Sequence, residues 1–354
     1  MNTATTALYR TSICVLALLL AGLLAARLGP FASAAPPSAG PMSVEPARAA
    51  GLPADSLPTI TEADGEMLAT FADAQALALD PRGRLYVADA ARDHVVLLRP
   101  DGTQQRIFGG SGTQPGRFDT PTDVDPTNGL QLFVADAANG RIQRFVAEGR
   151  FLESLPVRQS HDASSATGSV FEQGRETIGR GSPGRPVAVV TTSRQVVFAL
   201  DARHRILWRW DAARRVERLA GDAALGPPVF RTPVALALDS ERRLYVADAG
   251  ASAVWVFDTL GTFLHRIDVP SGTNDPIRSL TVHANRLWVV FAQRLVAVPL
   301  QHGEVQHSSR HAAPRRRWSI ALSEPLVDVA FSPSQAYLLT STRVVRLRSP
   351  GMLN

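Results

Sequence analysis

A repeated pattern with a spacing of about 47 residues constrains the fold of this chain more than any other feature. Residues 76–90 read ALALDPRGRLYVADA, residues 122–137 read TDVDPTNGLQLFVADA, and residues 234–249 read VALALDSERRLYVADA. Each copy is a short apolar strand, a polar turn, a second apolar strand and an Ala-Asp-Ala ending. A small turn, a third strand, a Gly-containing turn and a fourth strand follow each ending. Four short strands joined by tight turns predict one antiparallel sheet per copy.

Three weaker copies, at 187–201, 280–291 and 326–341, fill the rest of the chain. Aligned on the Asp of the Ala-Asp pair, the six copies follow one another at steps of 47, 65, 47, 43 and 49 residues. Periods of this length with four strands each are typical of propeller blades. The chain is therefore predicted to be all-β, with a six-bladed β-propeller of four-stranded antiparallel blades over residues 58–350.

The last copy has only three strands before the chain ends, and an open ring would leave an unpaired strand edge. The strand-like segment at residues 66–71 lies just before the first copy. We expect this N-terminal strand to pair with the last blade and close the ring.

The stretches LYVADAARDHVVLL, LFVADAANGRIQRF and LYVADAGASAVWVF resemble NHL repeats, as does Gly116-Arg117-Phe118 followed by Thr120-Pro121. The resemblance covers about residues 66–348. It implies a six-bladed propeller. Some propellers related to NHL repeats are zinc-dependent lyases that cleave peptidyl-hydroxyglycine with His ligands in the central channel, and other six-bladed propellers are calcium-dependent lactonases or esterase-like enzymes.

Residues 1–34 are predicted to be a signal peptide. Arg10 precedes the apolar run at 13–26, and the small residues at 32–34 favour cleavage after Ala34. The run of about 14 residues is too short to span a bilayer comfortably. Residues 35–57 are rich in Pro, Ala and Ser, which predicts a disordered linker. We therefore expect an exported protein, periplasmic or extracellular and without a membrane span in its mature form; the alternative is a protein anchored by an uncleaved N-terminus.

The basic residues indicate little about partners. All 37 are Arg, and the net charge of the whole chain is only +5, so we expect no nucleic-acid partner. Cys14 is the only cysteine and lies in the predicted signal peptide. Once that peptide is removed, no disulfide, Cys-ligated metal or Cys nucleophile is possible.

The repeated Asp is interpreted as a structural turn residue, because a short carboxylate at a strand end can accept hydrogen bonds from backbone N–H groups of the turn. These residues are Asp89, Asp136, Asp201 and Asp248. A ligand-binding face is predicted where the second-to-third-strand turns meet the blade-to-blade loops, since guanidinium groups there suit anionic ligands. Its residues are Arg92, His94, Arg117, Arg141, Arg203, His204 and Arg231.

These features favour a non-catalytic binding or scaffold module for a protein, peptide or glycan, with no cofactor and no metal. The alternative is a metal-dependent propeller enzyme, either a calcium lactonase or esterase-like hydrolase or a zinc lyase. Asp123, Asp125 and Asp328 lie on predicted inner strands and could converge on calcium. No sequence pattern forces a Ser-His-Asp site. Whether the chain is an enzyme, and its oligomeric state, are left open.

Overall fold

The described residues fold into six four-stranded antiparallel blades, as the repeats predict. The structure is a computed structural model, and it describes residues 57–127, 129–159, 181–269, 275–300 and 315–353. The predicted signal peptide (1–34) and the linker (35–57), apart from Leu57, lie outside these residues. No helix within the described ranges is long and apolar enough to cross a membrane.

Each blade runs from an inner strand at the propeller axis to an outer strand at the rim, and in blades 1–4 the strands follow chain order. Blade 1 consists of Ala74–Leu79, Leu85–Asp89, His94–Leu98 and Gln104–Gly109. Blade 2 consists of Pro121–Asp125, Gln131–Asp136, Arg141–Val146 and Phe151–Pro156. Blade 3 consists of Pro186–Thr191, Val197–Asp201, Ile206–Trp210 and Val216–Ala220. Blade 4 consists of Pro233–Leu238, Arg243–Asp248, Ala253–Asp258 and Phe263–Asp268.

The last two blades include strands from the N-terminal side of the chain. Blade 5 consists of Ser279–His283, Arg286–Val290, Arg294–Pro299 and Arg316–Ala321, with Thr59–Thr61 added in parallel to its outer strand. Blade 6 consists of Leu326–Phe331, Ala336–Thr340, Arg343–Leu347 and, as its outer strand, Gly65–Thr70. A two-stranded ribbon, Arg158–Gln159 with Ser182–Pro183, lies between blades 2 and 3 in the chain. The short 3₁₀ helices are Glu62–Asp64, Ala90–Arg92, Ala223–Leu225, Ala249–Ala251 and Pro350–Leu353.

The core lies between the blades, because alternate residues of each strand face opposite sides of the sheet. Between blades 1 and 2, Tyr86 and Val95 pack with Phe118, Leu132 and Phe145 in one buried cluster. The strands are rich in Val, Leu and aromatic residues, which fit a pleated sheet that is buried on both faces. Stacking of the sheets around the axis leaves the inner strands to line a central channel.

The N-terminal strand pairs with the last blade at the residues that the sequence indicated. Glu66 lies opposite Arg346, and the Phe71 amide donates to the Thr342 carbonyl at 2.7 Å. That this pairing holds the ring closed stays a prediction, and its test is given in the Discussion.

Candidate functional site in the central channel

The inner strands of all six blades line a cavity of about 710 Å³. On each inner strand, one residue pairs with the second-strand residue that precedes the repeated Asp, or precedes Phe291 in blade 5 and Thr340 in blade 6. Because this position recurs in every blade, the six residues form a ring around the axis. These residues are Ala76, Asp123, Ala188, Ala235, Ser279 and Asp328. Four of the six ring residues therefore have no charged side chain. The other two, Asp123 of blade 2 and Asp328 of blade 6, belong to the two blades that flank blade 1.

Asp328 connects its own blade to both adjacent blades. Its Oδ2 accepts from the Leu77 amide of blade 1 at 2.9 Å, and its Oδ1 accepts from the Ser279 hydroxyl of blade 5 at 2.6 Å. The Val329 amide donates to Oδ1 at 2.8 Å. Burial raises the pKa of Asp328 to about 6, and these three hydrogen bonds oppose that rise. A carboxyl with this pKa can take up and release a proton near neutral pH.

Asp123 has the same arrangement on blade 2. Its Oδ2 accepts from the Val189 amide of blade 3 at 2.7 Å, and its Oδ1 accepts from the Val124 amide at 2.8 Å. Burial is the largest cause that raises the pKa of Asp123 well above its usual range, and the nearby charges of Asp328 and Asp125 raise it further. The two ring carboxyls thus interact, and both burial and the charge of Asp328 favour the protonated form of Asp123.

Asp125 lies two residues farther along the same inner strand and also lines the channel. Its Oδ1 accepts from the Thr127 amide at 2.8 Å and from the Thr127 hydroxyl. Burial raises the pKa of Asp125, and the hydrogen bonds from Thr127 oppose the rise.

A metal ion would need more donors than these carboxyls provide. Calcium takes six to eight oxygen ligands and zinc about four ligands. In the part of the chain that the structure describes, no group of three or more His, Cys, Asp or Glu side chains is arranged to hold an ion. His94 and His204 are not among the channel-lining residues. The described side chains alone do not fit a calcium or zinc site, and no chemical step is assigned to a metal.

The four repeated aspartates are the last residues of the second strands, where each accepts hydrogen bonds from the loop that precedes its blade. All four are fully buried. Asp89 accepts from the Ala72 and Asp73 amides at 3.0 Å each, and Asp248 accepts from the Arg231 and Thr232 amides at 2.8 and 2.7 Å. These contacts support the structural role that the sequence predicts for them.

Many of the residues predicted to form a ligand-binding face are engaged by the protein itself. Arg92 pairs with Asp89 at 3.0 Å, and Arg141 pairs with Asp136 at 2.7 Å. Arg117 donates to the Gly109 carbonyl at 2.8 Å. His94 lies 3.7 Å from a carboxylate oxygen of Asp89, and burial lowers its pKa.

The remaining three of these residues belong to blades 3 and 4. Arg203 donates to the Pro183 carbonyl at 3.0 Å, and His204 contacts Asp201 at 2.7 Å. Arg231 is exposed, and its amide donates to Asp248. The face is therefore an array of mostly internally paired cations, and binding of a ligand there stays a prediction.

No protein-family model matches the chain. Its fold is similar to that of a gluconolactonase from Xanthomonas campestris, with a TM-score of 0.54 and 12% identity over 79% of this chain and 88% of that one. It is also similar to a virginiamycin B lyase from Staphylococcus aureus, with a TM-score of 0.54 and 9% identity over 80% and 98%. A luciferin-regenerating enzyme matches with a TM-score of 0.51 and 12% identity over 79% and 92%. The chain is thus a six-bladed β-propeller with neighbours among gluconolactonase and virginiamycin B lyase propellers.

These neighbours correct the functional expectation. A non-catalytic binding or scaffold module was predicted, but the proteins with which this propeller shares its architecture are enzymes. The expectation gave weight to the arginine-rich face, where most side chains prove to be paired internally. The enzyme alternative, with its acidic residues on the inner strands, is favoured.

Sequence reasoning found the channel acids but missed Ser279. Asp123 and Asp328 could be located because their blades retain the strand spacing. Blade 5, like blade 6, has lost the Ala-Asp pair, and a serine at this position does not stand out as an acid does. The only available signal was the spacing to Phe291.

Proposed function

We propose that this protein is a propeller hydrolase that opens a small lactone or ester bound in the central channel, with Asp328 and Asp123 as its acid–base pair. The observation that carries the proposal is the pair of buried, interacting carboxyls with raised pKa values facing a cavity large enough for a small molecule. Strongly perturbed carboxyls in a cleft are typical of catalytic sites. The enzymes that share the fold, one of them a gluconolactonase, support the same class of activity.

Of the two carboxyls, Asp328 would act as the general base and Asp123 as the general acid. Asp328, with a pKa of about 6, is mostly ionised at pH 7 and takes the proton of a water molecule as that water adds to the carbonyl carbon. Asp123, whose pKa is raised well above its usual range, gives its proton to the oxygen that leaves when the C–O bond breaks. The products are one carboxylic acid and one alcohol group, and the proton on Asp328 returns to solvent or to Asp123 to complete the cycle.

The proposal is tested with a panel of small lactones and the purified protein, using a pH-stat to follow acid release. We expect Asp328→Asn to lower kcat/KM at least 100-fold, since the base is removed. Asp101→Asn is the matched control, because Asp101 is an exposed turn residue whose carboxylate accepts from the Thr103 amide. A variant Asp328→Asn that hydrolyses the panel as fast as the Asp101→Asn control would contradict the proposal.

A second variant keeps the test informative if Asp328→Asn folds poorly. Ser279→Ala removes a hydrogen bond that favours the ionised form of Asp328. The rate should rise with pH through the pKa of Asp328, so this variant should move that rise to higher pH. An unchanged profile would show that Asp328 is not the base.

We further propose that the repeats are of the NHL type and that the protein is exported. The motif stretches quoted above and the apolar run at residues 13–26 support these two proposals. The mass of the protein purified from its native envelope tests export, because cleavage after Ala34 predicts an N-terminus at Ala35. The same preparation, analysed by elemental mass spectrometry, tests whether calcium or zinc accompanies the fold.

A further inference from the structure

Three side chains outside the channel, on the side of blade 3 where its second strand ends, form a Ser-His-Asp arrangement. The Ser182 hydroxyl oxygen lies 2.9 Å from Nε2 of His204, and Nδ1 of His204 lies 2.7 Å from Oδ2 of Asp201. Asp201 is fully buried, and the His204 side chain is only 12% exposed. We propose that these residues form a second catalytic site, in which Ser182 is the nucleophile of a serine esterase.

The hydrogen bonds of Asp201 fix the roles of the two imidazole nitrogens. Its Oδ1 accepts from three backbone amides, those of Arg185, Arg203 and His204, at 2.8, 2.9 and 3.3 Å. Its Oδ2 faces Nδ1, and an ionised carboxylate can only accept. The proton of the neutral ring is therefore on Nδ1, which leaves Nε2 to accept the Ser182 hydroxyl proton. This is the proton arrangement that a serine nucleophile requires.

The backbone brings Ser182 to this position through two local features. Ser182 pairs with Gln159 in the short ribbon that precedes blade 3. Gly184 then crosses directly over the acid: a Cβ at this residue would lie 2.5 Å from Oδ2 of Asp201. Only a glycine allows so close an approach, and the approach places the serine two residues earlier beside the imidazole.

The corresponding turn of blade 1 shows what the repeat alone provides. There His94 lies 3.7 Å from Asp89, and its Nε2 has no hydrogen-bond partner among the described residues. The acid thus belongs to the repeated turn, whereas the histidine three residues after it and the serine are particular to blade 3; the equivalent positions of the histidine are Arg92, Asn139 and Ala251.

The charge around Ser182 indicates the class of substrate. Arg158, Arg185, Arg203 and Arg205 are exposed and lie within a few residues of the triad along the three segments that form it. The Arg203 guanidinium donates to the carbonyl of Pro183, the residue after Ser182, at 3.0 Å. Guanidinium groups recognise carboxylates and also stabilise an oxyanion that develops on a reacting carbonyl. We expect an ester that carries a carboxylate group.

The proposed reaction needs only the ester, water and the three side chains. The Ser182 oxygen bonds to the ester carbonyl carbon while its proton passes to Nε2 of His204. The ester C–O bond breaks, and the same proton goes to the leaving alkoxide, which departs as an alcohol. Water then attacks the acyl-serine, His204 takes one proton from it, and the carboxylic acid leaves as that proton returns to the Ser182 oxygen.

The test uses a fluorophosphonate probe, which bonds covalently to activated serines, followed by peptide mapping. We expect the probe to label Ser182 in the wild-type protein and Ser182→Ala to remove that label. His204→Gln should slow labelling at least 100-fold, since the base is lost. His265→Gln is the control, because His265 lies on the outer strand of blade 4, away from the triad.

Substrate preference is measured with 4-nitrophenyl hydrogen glutarate, which carries a carboxylate, and 4-nitrophenyl butyrate, which does not. In an Asp328→Asn background, in which the channel site is inactive, we expect the glutarate ester to have the higher kcat/KM, and the further change Ser182→Ala to abolish both activities. The proposal is overturned if Ser182 is not labelled, or if His204→Gln labels as fast as His265→Gln. It does not rest on the channel site, so either site can fail alone.

Discussion

Closure of the ring can be tested by truncating Phe71, the residue that follows the N-terminal strand. Its side chain is 7% exposed and packs with Tyr337, Leu339 and Val344 of blade 6 and with the inner strand of blade 1. Phe71→Ala therefore leaves a cavity at the junction of the two ends of the propeller. Core Phe-to-Ala changes cost about 3–5 kcal/mol of the free energy of unfolding.

This cost converts to a measurable shift in Tm. An unfolding entropy of about 2.1 cal/mol/K per residue gives about 0.6 kcal/mol/K for a propeller of this size, so Tm should fall by roughly 5–8 °C. Glu66→Ala is the control: Glu66 is on the same strand and pairs with Arg346, but its side chain is 51% exposed. Exposed ion pairs contribute little, so its Tm should change by no more than about 2 °C.

The measurement is thermal unfolding of both variants by circular dichroism in one buffer. Equal Tm values for Phe71→Ala and Glu66→Ala would refute the argument that the N-terminal strand closes the ring. Deletion of residues 58–72 extends the test, because it also removes five residue pairs of the ladder with Arg343–Leu347. A deletion variant with the wild-type Tm would lead to the same refutation.

Three further predictions concern single positions. Asp248→Ala removes the buried carboxylate that accepts from two loop amides and should lower the free energy of unfolding by about 2–6 kcal/mol in urea titrations. The folded-state pKa of Asp328, about 6, lies above the unfolded value of about 3.9, so the folded protein binds more protons between pH 4 and 6. The contribution of Asp328 to stability in urea should therefore fall by about 3 kcal/mol as pH rises through that window, and the pH dependence of stability should be smaller by this amount in Asp328→Asn. Gly221→Ala should lower Tm more than Gly226→Ala, since both have positive φ but only Gly221 would place a Cβ 2.2 Å from a backbone carbonyl.

The architecture could be predicted from the sequence because every blade repeats the same order of strands and turns. Asp89 and Asp248 could be aligned by their Ala-Asp pairs, and from them the four strands of each blade follow. Asp123 could be identified in the same way, and Asp328 from the strand spacing alone, because its blade has lost the Ala-Asp pair. Repetition makes local spacing a guide to three-dimensional position.

The parts that could not be predicted depend on contacts between distant segments. The Ser182 hydroxyl reaches His204 only because the short ribbon and Gly184 guide the chain across Asp201, and no sequence spacing encodes that path. The raised pKa of Asp328 depends on burial among three blades, which the strand pattern alone does not measure. The functional expectation failed at this level, because it counted arginines without knowing which were already paired.

The most direct test of channel catalysis is lactone hydrolysis in a protein whose rim serine has been removed. With Ser182→Ala as the parent, the kcat/KM for a panel of small lactones is compared with that of the double variant Ser182→Ala/Asp328→Asn, with circular dichroism as the check on folding. Catalysis by the ring carboxyls predicts that the parent still hydrolyses at least one lactone and that the double variant loses at least 100-fold. Equal rates in the two proteins, both folded, would contradict the assignment of the active site to the central channel.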